Sequence, residues 1–439
     1  MKIAWFSPLP PLKSGISEYS ELILYHLKNY ADVDLWVDGF SPHPHICRDF
    51  RVINYAQERK VIPLLKTYHA IVYNMGNNAE FHSGMFEVLQ EYPGIVILHD
   101  YILHHFFAGY WINKKGNPEG YLQEVRRQYG TTVEGLARKS LLQGKPLWET
   151  EEVQRYPLNK TILEKAMGII VHSEFVKALL EGTSMVRKIQ KLNHPYFPIP
   201  ASSLGRSRED LRLPKDKIVF ASLGFLAPVK RLDKVLQVVA SDDFLRKNAF
   251  LVVIGESVYP DYQLDKIAKN LCLTEQVRFL GYLPIEEAYA YLNCADVCLN
   301  LRYPTMGETS GSLIRIMSLG KPAVVSKGGW YAELPDDCVV KINPGNEAEE
   351  LAFWLRLLAS DAGFRRQIGE AARKYVLKEH SPEAFVKGLL NFARSVTTID
   401  PEKMYMRLLD VVTDVMVELG RGAELLFPLL PDHLIWMRT

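Results

Sequence analysis

Two adjacent cations, Lys230 and Arg231, stand where an apolar run gives way to a helical pattern. The run ends at Gly224, and the helical pattern begins near Leu232. Free N–H groups and the helix dipole attract anions at such a junction. The two side chains would complete a cradle for a diphosphate and would stabilise its charge as it departs. Taken alone, the pair is explained equally well as solvated charges at a helix start.

A second segment of small and polar residues precedes the helical pattern Leu313–Leu319. It contains Glu308, Thr309, Ser310, Gly311 and Ser312. Small residues let the backbone approach a ligand, and the helix start supplies N–H donors for phosphate. Glu308 can accept hydrogen bonds from sugar or ribose hydroxyls. For Thr309 and Ser310, a simple helix cap is an equally good explanation.

Two further candidates follow predicted strands in the first half of the chain. His99 and Asp100 come directly after one strand, where an imidazole can hydrogen-bond sugar hydroxyls and a carboxylate can fix its tautomer. Asp100 and His104 are four residues apart, but their spacing is not that of a zinc site, and no metal is predicted. Gly15 follows the first strand, either as a point of close approach to a ligand or as an ordinary turn.

Short apolar runs alternate with helical patterns in both halves and predict parallel α/β sheets. In the first half, the predicted strands are Ile3–Phe6, Val33–Val37, Ala70–Tyr73, Ile95–Leu98 and Gly168–Val171. In the second half, they are Ile218–Leu223, Phe250–Ile254, Val277–Leu280, Val297–Leu301, Ala323–Ser326 and Val339–Ile342. The Pro-rich stretch Pro195–Pro214 predicts a linker, and Gly120–Leu142 a long polar helical insertion. Because ligands bind beyond the carboxyl ends of such strands, we expect the site in a cleft between two domains.

Composition limits the class of protein. A chain of 439 residues exceeds one ordinary core, and its 48% apolar and 23% charged residues are typical of a globular protein. The formal charge of +1 argues against a dedicated nucleic-acid-binding protein, which needs a surplus of cations. Five scattered cysteines without a C-x-x-C pair fit reduced thiols. No apolar run reaches about 18 residues and no signal peptide is recognised, so we expect a cytoplasmic protein.

The stretch from Ala221 to Pro335 resembles the donor-binding domain of the retaining glycosyltransferases of the family 4-like type, also called group 1. The shared segments are Gly224–Asp233, Phe279–Leu283, Ala295–Val297 and Gly320–Val325. Ser14–Ser20 is similar to the N-terminal half of that family. The resemblance covers most of residues 1–395, though weakly across residues 105–160.

This resemblance implies the GT-B fold, in which two doubly wound, Rossmann-like α/β domains enclose a cleft. It implies a hexosyltransferase-type enzyme of polysaccharide biosynthesis. Such an enzyme moves a sugar from a nucleotide diphosphate sugar to a glycan, lipid-linked or small-molecule acceptor, with retention of configuration. Residues 1–200 would form the acceptor-side domain and residues 210–380 the donor-binding domain. Residues 381–439 would form C-terminal helices, the first of which packs back on the N-terminal domain.

The resemblance also assigns roles to individual residues. Lys230 and Arg231 would bind the donor diphosphate, and His99 would line the reacting face of the sugar. Glu308 would complete the catalytic group with these three residues. The remaining donor contacts would come from Gly15, Gly224, Thr309, Ser310, Gly311 and Ser312. No cofactor and no obligatory metal are expected, because the protein's own cations take the place of Mg²⁺.

The chain departs from the family in one respect. The family carries two glutamates eight positions apart; Glu308 stands for the first, and Arg315 occupies the place of the second, so the usual ribose contact is in doubt. Two alternatives stay open: a nucleotide-sugar epimerase of the same fold, and a non-catalytic partner subunit that binds a nucleotide sugar. The predicted partners are a nucleotide sugar and an acceptor, without nucleic acid. Residues 401–439 leave open a peripheral contact with the inner membrane face or an oligomer contact.

Overall fold

The structure, a computed structural model, describes residues 1–183, 188–257, 259 and 261–397. The predictions for residues 401–439 therefore lie outside the described residues. The chain divides into one unit of Met1–Phe392 and a second of Ala393–Thr439. The sheets and the candidate site described below belong to the first unit.

Two parallel sheets, built from the two halves of the chain, form the body of the first unit. The first sheet contains β1 (Lys2–Phe6), β2 (Asp32–Val37), β3 (Arg51–Asn54), β4 (Ala70–Met75), β5 (Ile95–Leu98), β6 (Gly168–Val171) and β7 (Ile189–Lys191). The second contains β8 (Ile218–Leu223), β9 (Ala249–Ile254), β10 (Val277–Gly281), β11 (Val297–Asn300), β12 (Ala323–Ser326) and β13 (Val340–Ile342). Their central strands are buried on both faces, which explains why they read as continuous apolar runs.

Helices connect the strands and cover the sheets. The α-helices are α1 (Gly15–Leu27), α2 (Pro44–Asp49), α3 (Ala79–Glu91), α4 (His104–Ala108), α5 (Pro118–Tyr129), α6 (Thr131–Leu142), α7 (Lys160–Lys165), α8 (Glu174–Glu181), α9 (Leu232–Ser241), α10 (Asp243–Asn248), α11 (Leu264–Asn270), α12 (Ile285–Cys294), α13 (Gly311–Ser318), α14 (Trp330–Glu333), α15 (Glu347–Ser360), α16 (Ala362–Glu379) and α17 (Pro382–Thr397). The 3₁₀ and π turns are Arg59–Thr67, Gly109–Lys114, Leu147–Glu149, Glu151–Gln154, Ala201–Ser203, Pro228–Lys230 and Pro344–Asn346.

The strand orders confirm the prediction of two doubly wound, Rossmann-like domains. The first sheet runs β3-β2-β1-β4-β5-β6-β7, and the second runs β10-β9-β8-β11-β12-β13. Every pairing between these strands is parallel. In each sheet the winding reverses beside the first strand, between β1 and β4 and between β8 and β11. Ligands bind at such reversal points, beyond the carboxyl ends of the strands.

Three local differences from the sequence predictions have simple causes. The predicted helical region Gly120–Leu142 is two helices, α5 and α6, because Gly130 between them adopts a φ of +84°. The predictions omitted β3 and β7, which lie at the sheet edges and carry polar residues in place of a continuous apolar run. Finally, the sequence predicts the first helix over Ser17–Asn29, whereas α1 begins at Gly15 because Ser14 caps it and accepts a hydrogen bond from the N–H of Ile16.

The chain passes twice between the two sheets, and the two passages contact each other. The N–H of Tyr196 donates to the carbonyl of His380 over 2.8 Å. An imidazole nitrogen of His380 lies 2.6 Å from the carbonyl of His194. After the second passage, Phe385 of α17 packs edge-on against Tyr19 of α1, with ring centroids 5.8 Å apart. Residues distant in sequence therefore meet beneath the cleft between the sheets.

Candidate active site

A cavity of about 520 Å³ lies between the two domains, at the carboxyl ends of the strands beside both reversal points. The first domain contributes residues that follow β1, β4 and β5. These are Lys13, Ser14, Gly15, Glu18, Asn77, Asp100 and His105. The second domain contributes residues that follow β8 and β11, together with the aromatic side chains of Tyr259 and Tyr282. We call this cavity the cleft.

Lys230 lies in the cleft, as the sequence predicts. Its ammonium donates to the carbonyl of Leu223, at the end of β8, over 3.0 Å. A Cβ on Gly224 would lie 2.5 Å from the Lys230 Nζ, and φ at Gly224 is +117°, so glycine is required there. Burial, followed by the charge of Arg302, lowers the pKa of Lys230 to about 7, while Glu308 opposes the change. A bound anion would restore the charged form of this buried amine.

Arg231 lies elsewhere than predicted. It adopts the left-handed conformation, with a φ of +56°, and its side chain does not line the cleft. Its guanidinium pairs with the buried carboxylate of Glu347, with Nη2–Oε2 and Nε–Oε1 distances of 2.5 and 3.0 Å. The turn of the backbone therefore sends the two neighbouring cations in different directions. Arg231 joins the start of α9 to the start of α15.

Arg302 is the second cation that lines the cleft beside Lys230. It lies two residues after the end of β11. Its Nε is 2.6 Å from the Glu308 Oε1 in an ion pair without hydrogen-bond alignment. The other oxygen of Glu308 accepts the N–H of Met306 over 2.7 Å. Sequence reasoning missed Arg302, although its place directly after a buried strand was the signal that identified the other candidates.

The start of α13 faces the cleft, as predicted, and its capping is visible. Ser310 accepts the N–H of Leu313 over 3.2 Å and is therefore the N-cap. Its hydroxyl also donates to Asn300, whose amide in turn donates to the hydroxyl of Ser312. Thr309, Gly311 and Ser312 line the cleft with Ser310. Ser310 thus caps α13 and also lies where it would contact a ligand bound at the helix start.

His99 does not line the cleft, contrary to the prediction. Its ring lies beneath the cleft, 4.7 Å from the ring of Tyr19 and 5.3 Å from the ring of His172, and its Nε2 is 3.2 Å from the amide oxygen of Asn74. Burial, followed by the neighbouring imidazoles of His172 and His194, lowers the pKa of His99 well below its usual value. His99 is therefore a neutral, packed residue beneath the site.

Asp100, the next residue, occupies the cleft instead. One of its carboxylate oxygens accepts the N–H of Asn77 over 2.9 Å. Burial, and then the nearby charge of Glu308, raises the pKa of Asp100 to about 7. His104, weighed with it as a metal ligand, uses both ring nitrogens on the carbonyl of Tyr156 and the hydroxyl of Tyr121, at 2.8 and 2.7 Å. The carboxyl group of Asp100, whose pKa is close to neutral pH, thus faces Glu308.

The loop that carries Glu308 is docked onto the first domain. The carbonyl of Met306 accepts the N–H groups of Tyr101 and Ile102, each over 2.9 Å. A Cβ on Gly307 would lie 2.5 Å from the Tyr101 Cβ, and its φ is +80°, so only glycine permits this approach. Because Tyr101 follows Asp100 directly, this contact places the two carboxyl groups on opposite walls of the same space.

The cleft thus has two distinct ends. We call the group Asp100, Lys230, Arg302 and Glu308 the inner end. The outer end is the group Lys13, Glu18, Tyr282 and Arg315, all of which line the cleft. At the outer end, the Lys13 ammonium lies 4.1 Å from the centre of the Tyr282 ring, and Glu18 forms an ion pair with Arg315. Gly15 lies near this end, where a Cβ would meet open space.

Comparisons with known proteins agree with this geometry. Residues 205–393 match the model of the family described as "Glycosyl transferases group 1". The resemblance inferred from the motifs is therefore confirmed for the second domain. A D-inositol 3-phosphate glycosyltransferase of Streptomyces bingchenggensis is 26% identical over 183 residues. That match covers 39% of this chain and 40% of the relative, so the chain matches well under half of that protein's length.

Two solved structures share the fold over most of the chain. Sucrose-phosphate synthase from Thermosynechococcus elongatus is 17% identical, with a TM-score of 0.63, and the match covers 90% of this chain and 99% of that one. HepE of Anabaena, in complex with UDP-glucose, is 16% identical, with a TM-score of 0.62 and coverages of 91% and 100%. The two domains therefore form the GT-B fold. Within the described part of the chain, no helix has the length and apolar character that crossing a bilayer requires.

Proposed function

We propose that this protein is a glycosyltransferase that moves a sugar from a nucleoside diphosphate sugar to a hydroxyl acceptor with retention of configuration. The observation that carries the proposal is the inner end of the cleft, where Lys230 and Arg302 line the cavity that the start of α13 also faces. Two cations and free helix N–H groups form the environment that a diphosphate needs. The group 1 match of the second domain supports the same conclusion.

The donor would lie along the cleft with its diphosphate at Lys230, Arg302 and the start of α13. The sugar would extend toward Asp100 and Glu308, because carboxylates accept hydrogen bonds from hydroxyls. The nucleoside would extend toward Tyr282, the aromatic wall at the outer end. This orientation places the uncharged, hydroxyl-rich part of the ligand on acceptors and its anionic part on donors.

In the proposed reaction, the bond between the anomeric carbon and the diphosphate oxygen breaks, and its electron pair goes to the diphosphate. The acceptor oxygen bonds to the same face of that carbon, and its proton passes to the leaving phosphate. Lys230 and Arg302 stabilise the charge that develops on the diphosphate, which is the largest effect such groups supply. They take the place of a divalent cation, so we expect turnover to continue in the presence of EDTA.

A thermal-shift screen followed by turnover measurements would test this function. UDP, GDP, ADP and their glucose conjugates would be screened first, because a ligand that binds the folded state raises the melting temperature. Sugar transfer from the best donor would then be measured with Lys230→Ala and, as a matched control, Lys234→Ala, which changes an exposed lysine of α9 outside the cleft. We expect a loss of about 100-fold or more in kcat/KM for Lys230→Ala alone. Equal activity in both variants would overturn the proposal.

One observation favours a second candidate, a nucleotide-sugar epimerase. Epimerisation needs acid and base groups on the sugar ring, and the fold brings the carboxyl group of Asp100 close to Glu308. Incubation of the donor without an acceptor distinguishes the two reactions. A transferase leaves the donor sugar unchanged or hydrolyses it slowly, whereas an epimerase converts it to an epimer that NMR resolves.

A further inference from the structure

The outer end of the cleft is closed by an ion pair that joins the two domains. Glu18 lies on α1 of the first domain, Arg315 lies on α13 of the second, and both line the cleft. Lys13 and Tyr282 make a second contact across the same gap. This end of the cleft therefore contains a carboxylate that belongs to the domain opposite the diphosphate cradle.

The two side chains of the ion pair differ in how tightly they are packed and how exposed they are to solvent. The guanidinium of Arg315 lies 3.3 Å from the centre of the Phe197 ring, and only 7% of its side chain is exposed. The side chain of Glu18 is 41% exposed. Arg315 is thus a fixed, stacked anchor, and Glu18 is the member whose carboxylate a ligand can reach. One guanidinium leaves part of the carboxylate's acceptor capacity unused, since each oxygen accepts two hydrogen bonds.

The position of Glu18 relative to the rest of the cleft suggests what it binds. Arg315 lies one helical turn beyond Gly311, at the start of α13, where the diphosphate is proposed. Tyr282 lies near Glu18 as well, since burial and then the charge of Glu18 raise the pKa of its phenol. The carboxylate is therefore between the diphosphate cradle and the aromatic wall. In a nucleoside diphosphate, the group between the phosphates and the base is the ribose, with two neighbouring hydroxyl donors.

We propose that Glu18 binds the ribose hydroxyls of the donor nucleotide from the opposite domain, and that Arg315 acts as a positioning residue that holds the carboxylate in place. This inference rests on the proposed function. It implies that one nucleotide is bound by both domains, with its phosphates on the second and its ribose on the first. Nucleotide binding would then favour the closed arrangement of the cleft.

The test compares a nucleotide with its analogue that lacks both ribose hydroxyls. Calorimetry would give the affinity of the tightest binder among UDP, GDP and ADP, and of its 2′,3′-dideoxy counterpart, for the wild type and each variant. In the wild type, we expect the ribonucleotide to bind at least about tenfold more tightly, because hydrogen bonds to a charged acceptor are strong. In Glu18→Gln and Arg315→Gln, the ratio of the two affinities should fall toward one. The ratio is insensitive to a general loss of stability.

Glu21→Gln is the matched control. Glu21 lies one turn further along α1, where it pairs with His45 over 2.7 Å and does not line the cleft. The ratio of the two nucleotide affinities measured for Glu21→Gln should equal that of the wild type. A ratio that is unchanged in Glu18→Gln would overturn the inference while leaving the proposed function intact, provided that binding still depends on Lys230. An unchanged ratio in Arg315→Gln alone would overturn its positioning role. Failure of all three nucleotides to bind would overturn both the inference and the proposed function.

Discussion

The inner and outer ends of the cleft hold charges in opposite ways. At the inner end, Lys230 and Glu308 are buried and Asp100 and Arg302 are partly buried, and the pKa values of Lys230 and Asp100 both move to about 7. At the outer end, the carboxylate of Glu18 is 41% exposed, while its partner Arg315 is buried against the ring of Phe197. Partly exposed pairs cost little to form, whereas groups of buried charges are expensive to desolvate.

This difference agrees with the proposed function, in which the reaction takes place at the inner end and the nucleoside is bound at the outer end. A protein gains little stability from a buried lysine that is partly neutral, and under the proposed function a bound diphosphate would restore the charge of Lys230. The side chains of the outer end have no role in the proposed reaction. They are suited to contact the hydroxyl groups and the aromatic base of a nucleoside.

The substitution Arg302→Ala should lower kcat/KM by about 100-fold, as expected when a charged donor is removed from a developing anion. Arg231→Ala, the control, should change kcat/KM by less than about threefold, because that side chain pairs with Glu347 outside the cleft. It should lower the melting temperature instead. Steady-state kinetics and thermal denaturation of both variants would check this contrast. A larger kinetic loss in Arg231→Ala would place the diphosphate away from the inner end.

Nucleoside diphosphate binding at pH 8 should take up protons. At this pH, Lys230 is largely neutral and Asp100 largely ionised in the free protein, since both pKa values are about 7. A bound diphosphate raises both values and draws protons from solution, so affinity should fall as the pH rises from 7 to 9. Calorimetry in buffers of different ionisation enthalpy measures the uptake. Release of protons, or an uptake unchanged in Lys230→Met, would contradict this account.

The variant Asp100→Asn should be more stable than the wild type at pH 8, and the gain should shrink toward pH 5. A carboxyl whose folded pKa is raised binds its proton more tightly in the folded state. The wild type therefore loses stability as the pH rises from the ordinary value near 4 to about 7. Melting temperatures measured across this range would show the trend. If the difference in melting temperature between the variant and the wild type is independent of pH, burial does not raise the pKa of Asp100.

The smallest effect is expected where the domains meet away from either end. Glu333 on α14 accepts the N–H groups of Glu174 and Phe175, at the start of α8 in the other domain, over 3.0 and 2.6 Å. Glu333→Ala should weaken nucleotide affinity by a measurable factor of up to about tenfold, since a helix cap contributes about 1 kcal/mol. Asp336→Ala, which breaks only an exposed pair with Lys341 in the second domain, should leave affinity unchanged. Equal affinities in the two variants would show that this contact does not contribute to closure.

The predictions from sequence succeeded where burial alone decides the outcome. Central strands such as β1 and β8 must be apolar on both faces, and this pattern is visible without a structure. The edge strand β7, with the sequence Ile-Gln-Lys, has no such requirement and was missed. Gly130 was the one visible sign that the predicted helical region 120–142 is divided.

The site shows a different limit. Strand ends indicated a group of candidates of which Lys230, Glu308 and the start of α13 line the cleft, but the direction of each side chain was not predictable. His99 and Asp100 are neighbours, and successive residues of an extended chain point to opposite sides, so only one of them faces the cleft. The same holds for Lys230 and Arg231, where a left-handed residue turns the second cation away. The pair of Glu18 and Arg315 joins residues almost 300 positions apart and depends on how the two domains face each other.

A crystal structure with a bound nucleoside diphosphate tests the central claim most directly. We expect phosphate oxygens about 3 Å from the Lys230 ammonium and from N–H groups at the start of α13, with Arg302 beside them. Phosphates bound at another place, with Lys230 still donating only to the carbonyl of Leu223, would contradict it.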